Sequence, residues 1–404
     1  MIKKIKVGQL KPGIFIDDLN CDWLHHPFIS NKIKIKNEHD IEKIIKHGIN
    51  EVYIDTDKGL DVAEAPTKKD VDREIQGELD KLTDTKLKTG SRALLKEELV
   101  RARKIIKESK ETIHNIMDNV KLGKQIEMKQ VETIVEKIAD SIFQNKDALI
   151  SLGRIKQKDE YTYMHSLSVC ALLISFAEHL NLDYKTIKAV GIGGLLHDIG
   201  KVKVPIEILN KEGALSEEEF NTIKEHVRDG CNILEQCKSL DDISMYVAAH
   251  HHERLNGSGY PDSLKGDEIS IFGQMSAVAD VYDALSSDRC YKDKIIPTEA
   301  LRKLFEWSNS YFKKDLVEQF ICCVGIYPVG TLVCLKSGML GIVVDHGVKG
   351  LLYPIIRIVY DTRKRKFITP YDRDLSRPSD SDITDTILNY EEPEKWDIRP
   401  EMYL

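Results

Sequence analysis

An unbroken succession of helical segments occupies the middle of this chain. Apolar residues recur at helical spacing from about residue 91 to 120 and again in a series of segments that begins at Met128. The later segments run over about 128–144, 162–180, 184–197, 216–235, 241–251, 270–288 and 297–306. Because no strand-like alternation interrupts them, we predict an all-helical domain over 92–325, in which side chains from several helices can share one site.

Shorter units flank the predicted helical domain. Residues 1–62 contain short alternating stretches and a helix at about 38–47, which predicts a small α+β domain. Residues 63–91 lose this periodicity and are predicted to form a solvated linker. Residues 326–404 predict a small β-rich extension with a polar, loose tail from Pro370. The predicted fold class is therefore mainly α, with a strand-containing unit at each end.

Composition and charge exclude several functions. The 404 residues carry a formal charge of -7, which argues against non-specific nucleic-acid binding. The eight cysteines include no CxxC pair and are expected to be reduced, as in a cytoplasmic protein. No apolar run approaches the roughly 18 residues of a membrane span, so no membrane segment is expected. The amphipathic stretch at 91–120 fits a packing helix or the seam of a homodimer, and its irregular heptads favour packing.

Histidines and aspartates cluster on the predicted helices. Each histidine taken singly is more often a packing or surface residue than a metal ligand. Their joint pattern puts ligand-type residues on successive helical segments, which packing alone does not explain. The candidate ligands are His165, His197, Asp198, His226, His251, His252 and Asp280. Imidazole and carboxylate groups suit iron, manganese and zinc, and this set exceeds what one ion needs.

Two ions are therefore implied, and the chemistry they suit is hydrolysis of a phosphate ester. A pair of ions about 3.5 to 4 Å apart can clamp a phosphoryl oxygen without a serine or cysteine nucleophile. Lys201 follows His197 and Asp198 across Gly200, so it can bring a cation to an anion at the metals.

Two motifs make the chain resemble the HD-GYP family. Residues 197–201 read HDIGK and residues 251–261 read HHERLNGSGYP; the similarity continues through ADVYDAL at 279–285 and SDRCYK at 287–292. The resemblance covers about 150–325 closely. More loosely, 1–62 resembles the N-terminal domain of unknown function found before many HD-GYP domains, and 325–330 resembles the start of their C-terminal extension.

The resemblance implies a metal-dependent phosphodiesterase that opens cyclic dinucleotides, chiefly cyclic di-GMP, to pGpG or GMP. It implies that the seven residues above bind two divalent ions, with iron or manganese expected. Asp198 and Lys201 match catalytic positions. The matching substrate-binding positions are Gly259, Tyr260, Pro261, Arg289 and Lys292. Residues 1–62 contain no ligand cluster and are expected to regulate or assemble rather than catalyse.

Departures from the family pattern leave alternatives open. Tyr161 stands where members with a third metal have glutamate, so two ions are expected rather than three. Leu255 and Asn256 replace the usual Trp-Asp, and Cys290 replaces a usual proline. Asp283 is a candidate for orienting Lys201 or a ligand imidazole, or else is a solvated acid. The alternative functions are preference for 3'3'-cyclic GMP-AMP and a module that binds a nucleotide or a GGDEF-type partner without turnover.

Overall fold

The structure is a computed structural model that describes residues 1–21, 30–83, 95–153, 161–211, 213, 215–287, 295–347, 350–377 and 385–404. Within these ranges, mainly helical structure with a small sheet near each end confirms the predicted fold class. None of the described helices combines the length and apolar character needed to span a bilayer.

The N-terminal unit is an antiparallel sheet covered by one helix. Its elements are β1 (Ile2–Lys6), β2 (Phe15–Asp18), β3 (Ile33–Lys34), α1 (Glu38–Lys46) and β4 (Glu51–Asp55), and the strand order is β1-β4-β2-β3. Each of the longer strands turns side chains into the core of this unit, among them Ile5 of β1, Ile16 of β2 and Ile54 of β4, which are buried. Helix α1 begins where the Asn37 side chain accepts a hydrogen bond from the Asp40 amide, and it buries Ile41.

Helices follow from residue 68 to residue 324. They are α2 (Lys68–Thr83), α3 (Leu95–Lys121), α4 (Met128–Gly153), α5 (Tyr161–His179), α6 (Tyr184–Leu196), α7 (Ile206–Leu209), α8 (Glu217–Lys224), α9 (His226–Leu234), α10 (Asp242–His250), α11 (Ile271–Ser286), α12 (Pro297–Trp307) and α13 (Lys314–Val324). A 3-10 turn at Ile199–Lys203 follows α6. The helix predicted over 216–235 is divided into α8 and α9 at Glu225, and α13 was not predicted.

The prediction of a solvated linker at 63–91 is wrong for residues 68–83, which form α2. Val71, Ile75 and Leu79 are buried and recur every four residues, so they form one apolar stripe. The stripe is only one residue wide and lies among charged residues, so its helical periodicity is hard to recognise in the sequence. Arg302 of α12 binds Asp72, and Lys314 Nζ of α13 lies 3.1 Å from Glu78 Oε2. Residues 84–91 lie outside the described part, and the other domain limits stay predictions.

The C-terminal unit is a five-stranded antiparallel sheet. Its strands are β5 (Leu332–Leu335), β6 (Met339–Gly347), β7 (Gly350–Asp361), β8 (Lys366–Asp374) and β9 (Ile387–Tyr390), in the order β8-β7-β6-β5-β9. The prediction of a loose tail from Pro370 is wrong for β8 and β9. Both are edge strands with mostly exposed side chains, and backbone pairing, such as that of Val333 with Tyr390, holds them. The hydropathy of the sequence does not reveal these strands, because backbone pairing does not require apolar side chains.

Helix α6 lies at the centre of the helical domain. It packs against α4, α5 and α10 because glycines on its surface admit close neighbours. A Cβ atom on Gly193 would lie 2.6 Å from Val247 Cβ, and one on Gly194 would lie 2.8 Å from Leu173 Cδ1. The end of α6, which carries His197, is therefore enclosed by the helices that carry the other candidate ligands.

Candidate metal centre

The seven candidate ligands come together as two adjacent groups. Asp198, His226, His251 and His252 offer ligand atoms that lie within 4.8 Å of one another. His165, His197 and Asp280 form the other group by the same measure. All seven residues are buried. Five helices or their ends supply them, namely α5, α6, α9, α10 and α11.

Asp198 joins the two groups. Its Oδ1 atom lies 3.3 Å from His226 Nε2, and its Oδ2 atom lies 3.4 Å from His197 Nε2 and 3.6 Å from His165 Nε2. One carboxylate oxygen thus faces each group. Asp198 would therefore help to hold a cation bound in either group.

Backbone contacts orient three of the imidazoles. The Nδ1 atoms of His197, His226 and His251 lie 2.8, 2.6 and 2.8 Å from the carbonyl oxygens of the residues three positions earlier. A carbonyl only accepts, so each Nδ1 carries the proton and each Nε2 presents a lone pair to the centre. Burial lowers the pKa of His197 and of His251, which favours the neutral form that binds metal.

The donor set fits divalent cations. His226 Nε2 and His251 Nε2 face each other at 3.4 Å, although both atoms are acceptors in these tautomers. Asp280 Oδ2 is buried and has no hydrogen-bond donor within the described residues. Burial raises the pKa of Asp198, but Lys201 and the imidazoles outweigh burial and hold it well below its usual range. Lone pairs and carboxylates that converge in a buried space are stabilised by cations placed between them.

Asp283 orients a ligand imidazole. It is buried on α11 one turn after Asp280, and its Oδ2 atom lies 2.6 Å from His165 Nδ1. Of the alternatives left by the sequence, the structure therefore supports the contact with an imidazole. Burial lowers the pKa of His165, but Asp280 and Asp283 outweigh burial and raise it. A carboxylate behind a ligand histidine fixes its tautomer and increases its basicity.

Replacing Asp283 by asparagine is expected to weaken metal binding about 10- to 100-fold, because the imidazole of His165 loses its anionic partner. Metal affinity measured by competition with a chelator checks this. Asp140→Asn on the exposed face of α4 is the matched control and should bind metal as the unaltered protein does. Equal affinities in the two variants would contradict the role of Asp283.

Lys201 lies beside the bridging carboxylate. The 3-10 turn after α6 brings its Nζ atom to 2.5 Å from Asp198 Oδ2. Gly200 allows this turn to touch α9, because a Cβ atom there would lie 1.9 Å from the carbonyl oxygen of His226. The ammonium group is therefore placed at the edge of the centre, where an anion bound by cations would lie.

The loop at 255–264 contacts the candidate ligand His252 through Tyr260. The ring of Tyr260 stacks on His252, with centroids 4.5 Å apart and planes at 27°. Gly259 is required because a Cβ atom would lie 2.4 Å from Glu253 Cα. The Glu253 carboxylate accepts hydrogen bonds from the amides of Asp262 and Leu264, at 2.8 and 3.0 Å. Gly259 and Tyr260 thus lie next to the candidate ligand His252, and Pro261 follows them in the loop.

Some predicted residues lie outside the described part. Arg289 and Lys292 fall between residues 287 and 295, and only the backbone of Tyr161 is described. Their roles stay predictions. Sequence reasoning missed Glu253, although it directly follows two candidate ligands. It also missed Lys224, whose Nζ atom lies 5.5 Å from the centroid of the Tyr260 ring and which belongs to none of the motifs.

Two family models and several known proteins match this chain. Residues 2–131 match the model for "Domain of unknown function (DUF3391)", and residues 137–316 match the model for "HD domain". A cyclic di-GMP phosphodiesterase of Pseudomonas aeruginosa is 36% identical over 403 residues, or 99% of this chain and 94% of that protein. A cyclic di-GMP phosphodiesterase of Thermotoga maritima is 35% identical over 46% of this chain and 53% of its own length. A 3'3'-cGAMP-specific phosphodiesterase of Vibrio cholerae is 42% identical over 30% of this chain and 24% of its own.

All seven candidate ligands lie within the residues that match the HD domain, so the buried cluster belongs to an HD-type domain. Since one relative is similar over nearly its whole length, the chain belongs to the HD-GYP phosphodiesterase family. Ahead of its HD domain it carries the domain of unknown function that the sequence resemblance predicted.

Proposed function

We propose that this protein is a metal-dependent phosphodiesterase that hydrolyses cyclic di-GMP to pGpG or GMP in bacterial signalling. The observation that carries the proposal is the pair of buried ligand groups joined by Asp198. The similarity to a cyclic di-GMP phosphodiesterase over 99% of the chain supports the same substrate. Turnover of cyclic di-GMP by the purified, metal-loaded protein tests it, and no turnover with any divalent metal would refute it.

The chain's own residues bind the metals and orient the substrate. Divalent ions held by the seven ligands would supply positive charge to the phosphoryl oxygens and lower the pKa of a coordinated water. The Lys201 ammonium is placed to stabilise negative charge that develops on the phosphate. Tyr260 stacks on His252 and thereby holds the loop at 255–264, which is proposed to bind the substrate, against the candidate ligands. Arg289 and Lys292 are proposed to bind phosphate oxygens.

Replacing Lys201 by alanine is expected to lower turnover about 100-fold and to leave the metal content unchanged, because the cation meets the phosphate rather than the ions. Lys203→Ala is the matched control. Lys203 belongs to the same 3-10 turn but pairs at the surface with Asp229, at 3.0 Å. Steady-state kinetics with elemental analysis checks both variants. Loss of metal from the Lys201 variant would show that this lysine supports the ligands instead.

We expect two metal ions per chain, with iron or manganese giving the active enzyme. The two ligand groups each match one ion, and the phenol of a tyrosine, as at Tyr161, is a far poorer metal ligand at neutral pH than a carboxylate. Elemental analysis after anaerobic reconstitution measures the number. Three tightly bound ions per chain would show that another carboxylate completes a third site.

A preference for 3'3'-cyclic GMP-AMP is the second candidate, because a relative specific for that nucleotide matches 30% of this chain. Turnover of both cyclic dinucleotides by the same preparation distinguishes the two. Binding of either nucleotide without turnover would instead favour a non-catalytic module.

A cytoplasmic location, a homodimer and a GGDEF-type protein partner remain part of the proposal. Light scattering of the purified chain tests the homodimer.

A further inference from the structure

The end of α1 touches the loop that carries Tyr260. Gly48 follows α1, and its carbonyl oxygen lies 3.0 Å from Asn256 Nδ2 and 3.3 Å from Tyr311 Oη. A Cβ atom on Gly48 would lie 2.3 Å from Ser258 Cβ. The N-terminal domain is thus packed against the residues directly before Gly259 and Tyr260, with no room for a larger side chain.

Asn256 connects this contact to the backbone of the loop. Its Oδ1 atom accepts hydrogen bonds from the Ser258 amide at 3.0 Å and the Ser258 hydroxyl at 2.6 Å. Two donors at Oδ1 orient the side-chain amide so that Nδ2 donates to Gly48. An aspartate at this position would keep the contacts with Ser258 but would set a carboxylate oxygen against the carbonyl oxygen of Gly48. The amide is therefore needed for the hydrogen bond between Asn256 and Gly48.

The N-terminal domain is held in place elsewhere, so α1 cannot simply follow the loop. Glu306 at the end of α12 accepts from Tyr53 Oη at 2.6 Å and pairs with Lys4 Nζ at 3.0 Å. The neighbouring Trp307 donates from Nε1 to Asn20 Oδ1 at 3.0 Å. These contacts join β1, β4 and Asn20, which follows β2, to α12, and Ile41 and Ile44 of α1 pack in the same apolar core as the strands. The loop therefore rests on a fixed support.

We propose that the N-terminal domain positions the substrate loop through Gly48 and Asn256, which makes this domain part of the substrate-binding apparatus. The inference rests on the proposed function in that the loop binds the cyclic dinucleotide. Gly48 and Asn256 are positioning residues that act through Tyr260, whose ring stacks on His252 and whose amide donates to the His252 carbonyl at 3.2 Å. When the contact between Gly48 and the loop is lost, Tyr260 moves relative to the candidate ligands, and the ligands themselves stay in place.

Asn256→Asp in the full chain is the first test, because the two side chains have nearly the same shape. We expect the KM for cyclic di-GMP to rise about tenfold, since small misplacement of a binding group is costly. Hydrolysis of bis(p-nitrophenyl) phosphate, which is too small to need the loop, should be unchanged. Amide hydrogen exchange at 255–263 should become faster than in the unaltered protein.

Gly48→Ala is the second test, and Gly123→Ala is its matched control. Both glycines have positive φ, +69° and +75°, but a Cβ atom on Gly123 meets no atom within 4 Å. Both substitutions therefore cost similar backbone strain, and only the first disturbs the loop. We expect Gly48→Ala to raise the KM for cyclic di-GMP and the rate of amide hydrogen exchange at 255–263, as Asn256→Asp does. The Gly123→Ala variant should keep the KM and the exchange rate of the unaltered protein.

Unchanged loop exchange in both Asn256→Asp and Gly48→Ala would overturn the inference, as would equal losses with the two substrates. The exchange measurement needs no turnover, so it separates this inference from the proposed function. If the unaltered protein hydrolyses no cyclic dinucleotide, faster loop exchange in the variants still supports the coupling between domains, and the proposed function alone fails.

Discussion

Asp198→Ala is expected to lower hydrolysis of cyclic di-GMP by about a thousandfold or more and to release at least one metal ion. The reason is that its two oxygens face different ligand groups, at 3.3 Å from His226 and 3.6 Å from His165, so its loss removes a carboxylate from both groups at once. A thousandfold loss corresponds to about 4 kcal/mol of transition-state stabilisation. Turnover in a metal-saturated assay and elemental analysis measure the two effects.

His197→Ala should behave like Asp198→Ala, because it removes a ligand from the second group. Asp229→Ala is the control for loss of an aspartate, since Asp229 pairs with Lys203 at the surface. Activity close to that of the unaltered protein in either ligand variant would rule out the reading of this site as a two-metal centre.

Gly200→Ala is expected to destabilise the protein by about 1–3 kcal/mol and to abolish tight metal binding. The added Cβ atom would lie 1.9 Å from the His226 carbonyl oxygen and 2.4 Å from the Gly230 amide nitrogen, and backbone atoms cannot rotate away as a side chain can. The turn that carries Lys201 must therefore separate from α9. That separation pulls Asp198 away from His226, so metal content falls together with stability.

Gly77→Ala is the matched control for Gly200→Ala. Gly77 lies in α2, and a Cβ atom there meets nothing within 4 Å. Alanine in a helix interior is favoured over glycine by about 0.5–1 kcal/mol, so this variant should be slightly more stable. Thermal unfolding and elemental analysis compare the two. Full metal content at unchanged stability in the Gly200 variant would show that the turn and α9 do not need this close contact.

The sequence predicted the helices that carry the candidate ligands because their apolar residues are numerous and strictly periodic. It failed at α2, where Val71, Ile75 and Leu79 form a single narrow stripe among charges. It failed at β8 and β9, which are held by backbone pairing at the edges of a sheet. Both failures have one physical cause. Hydrophobic periodicity reveals an element only when many of its side chains are buried, and α2, β8 and β9 bury few.

The candidate ligands were also identifiable from sequence, since ligand chemistry restricts the residue types and the helical segments restrict their spacing. Their division into two groups was not identifiable, because His165 and Asp280 are far apart in the chain and meet only where α5 packs on α11. The same holds for Asp283, whose contact with His165 decided between a solvated acid and a partner for an imidazole.

Sequence by itself thus determined the fold class, the ligand types and the family resemblance, because each depends on residues that are near one another in the chain or recur with a fixed period. Only the tertiary structure decided which oxygen of Asp198 faces which group and that Gly48 contacts the loop before Tyr260. Those contacts join residues separated by many positions. They depend on the angles and distances at which whole helices and domains pack, which no local pattern encodes.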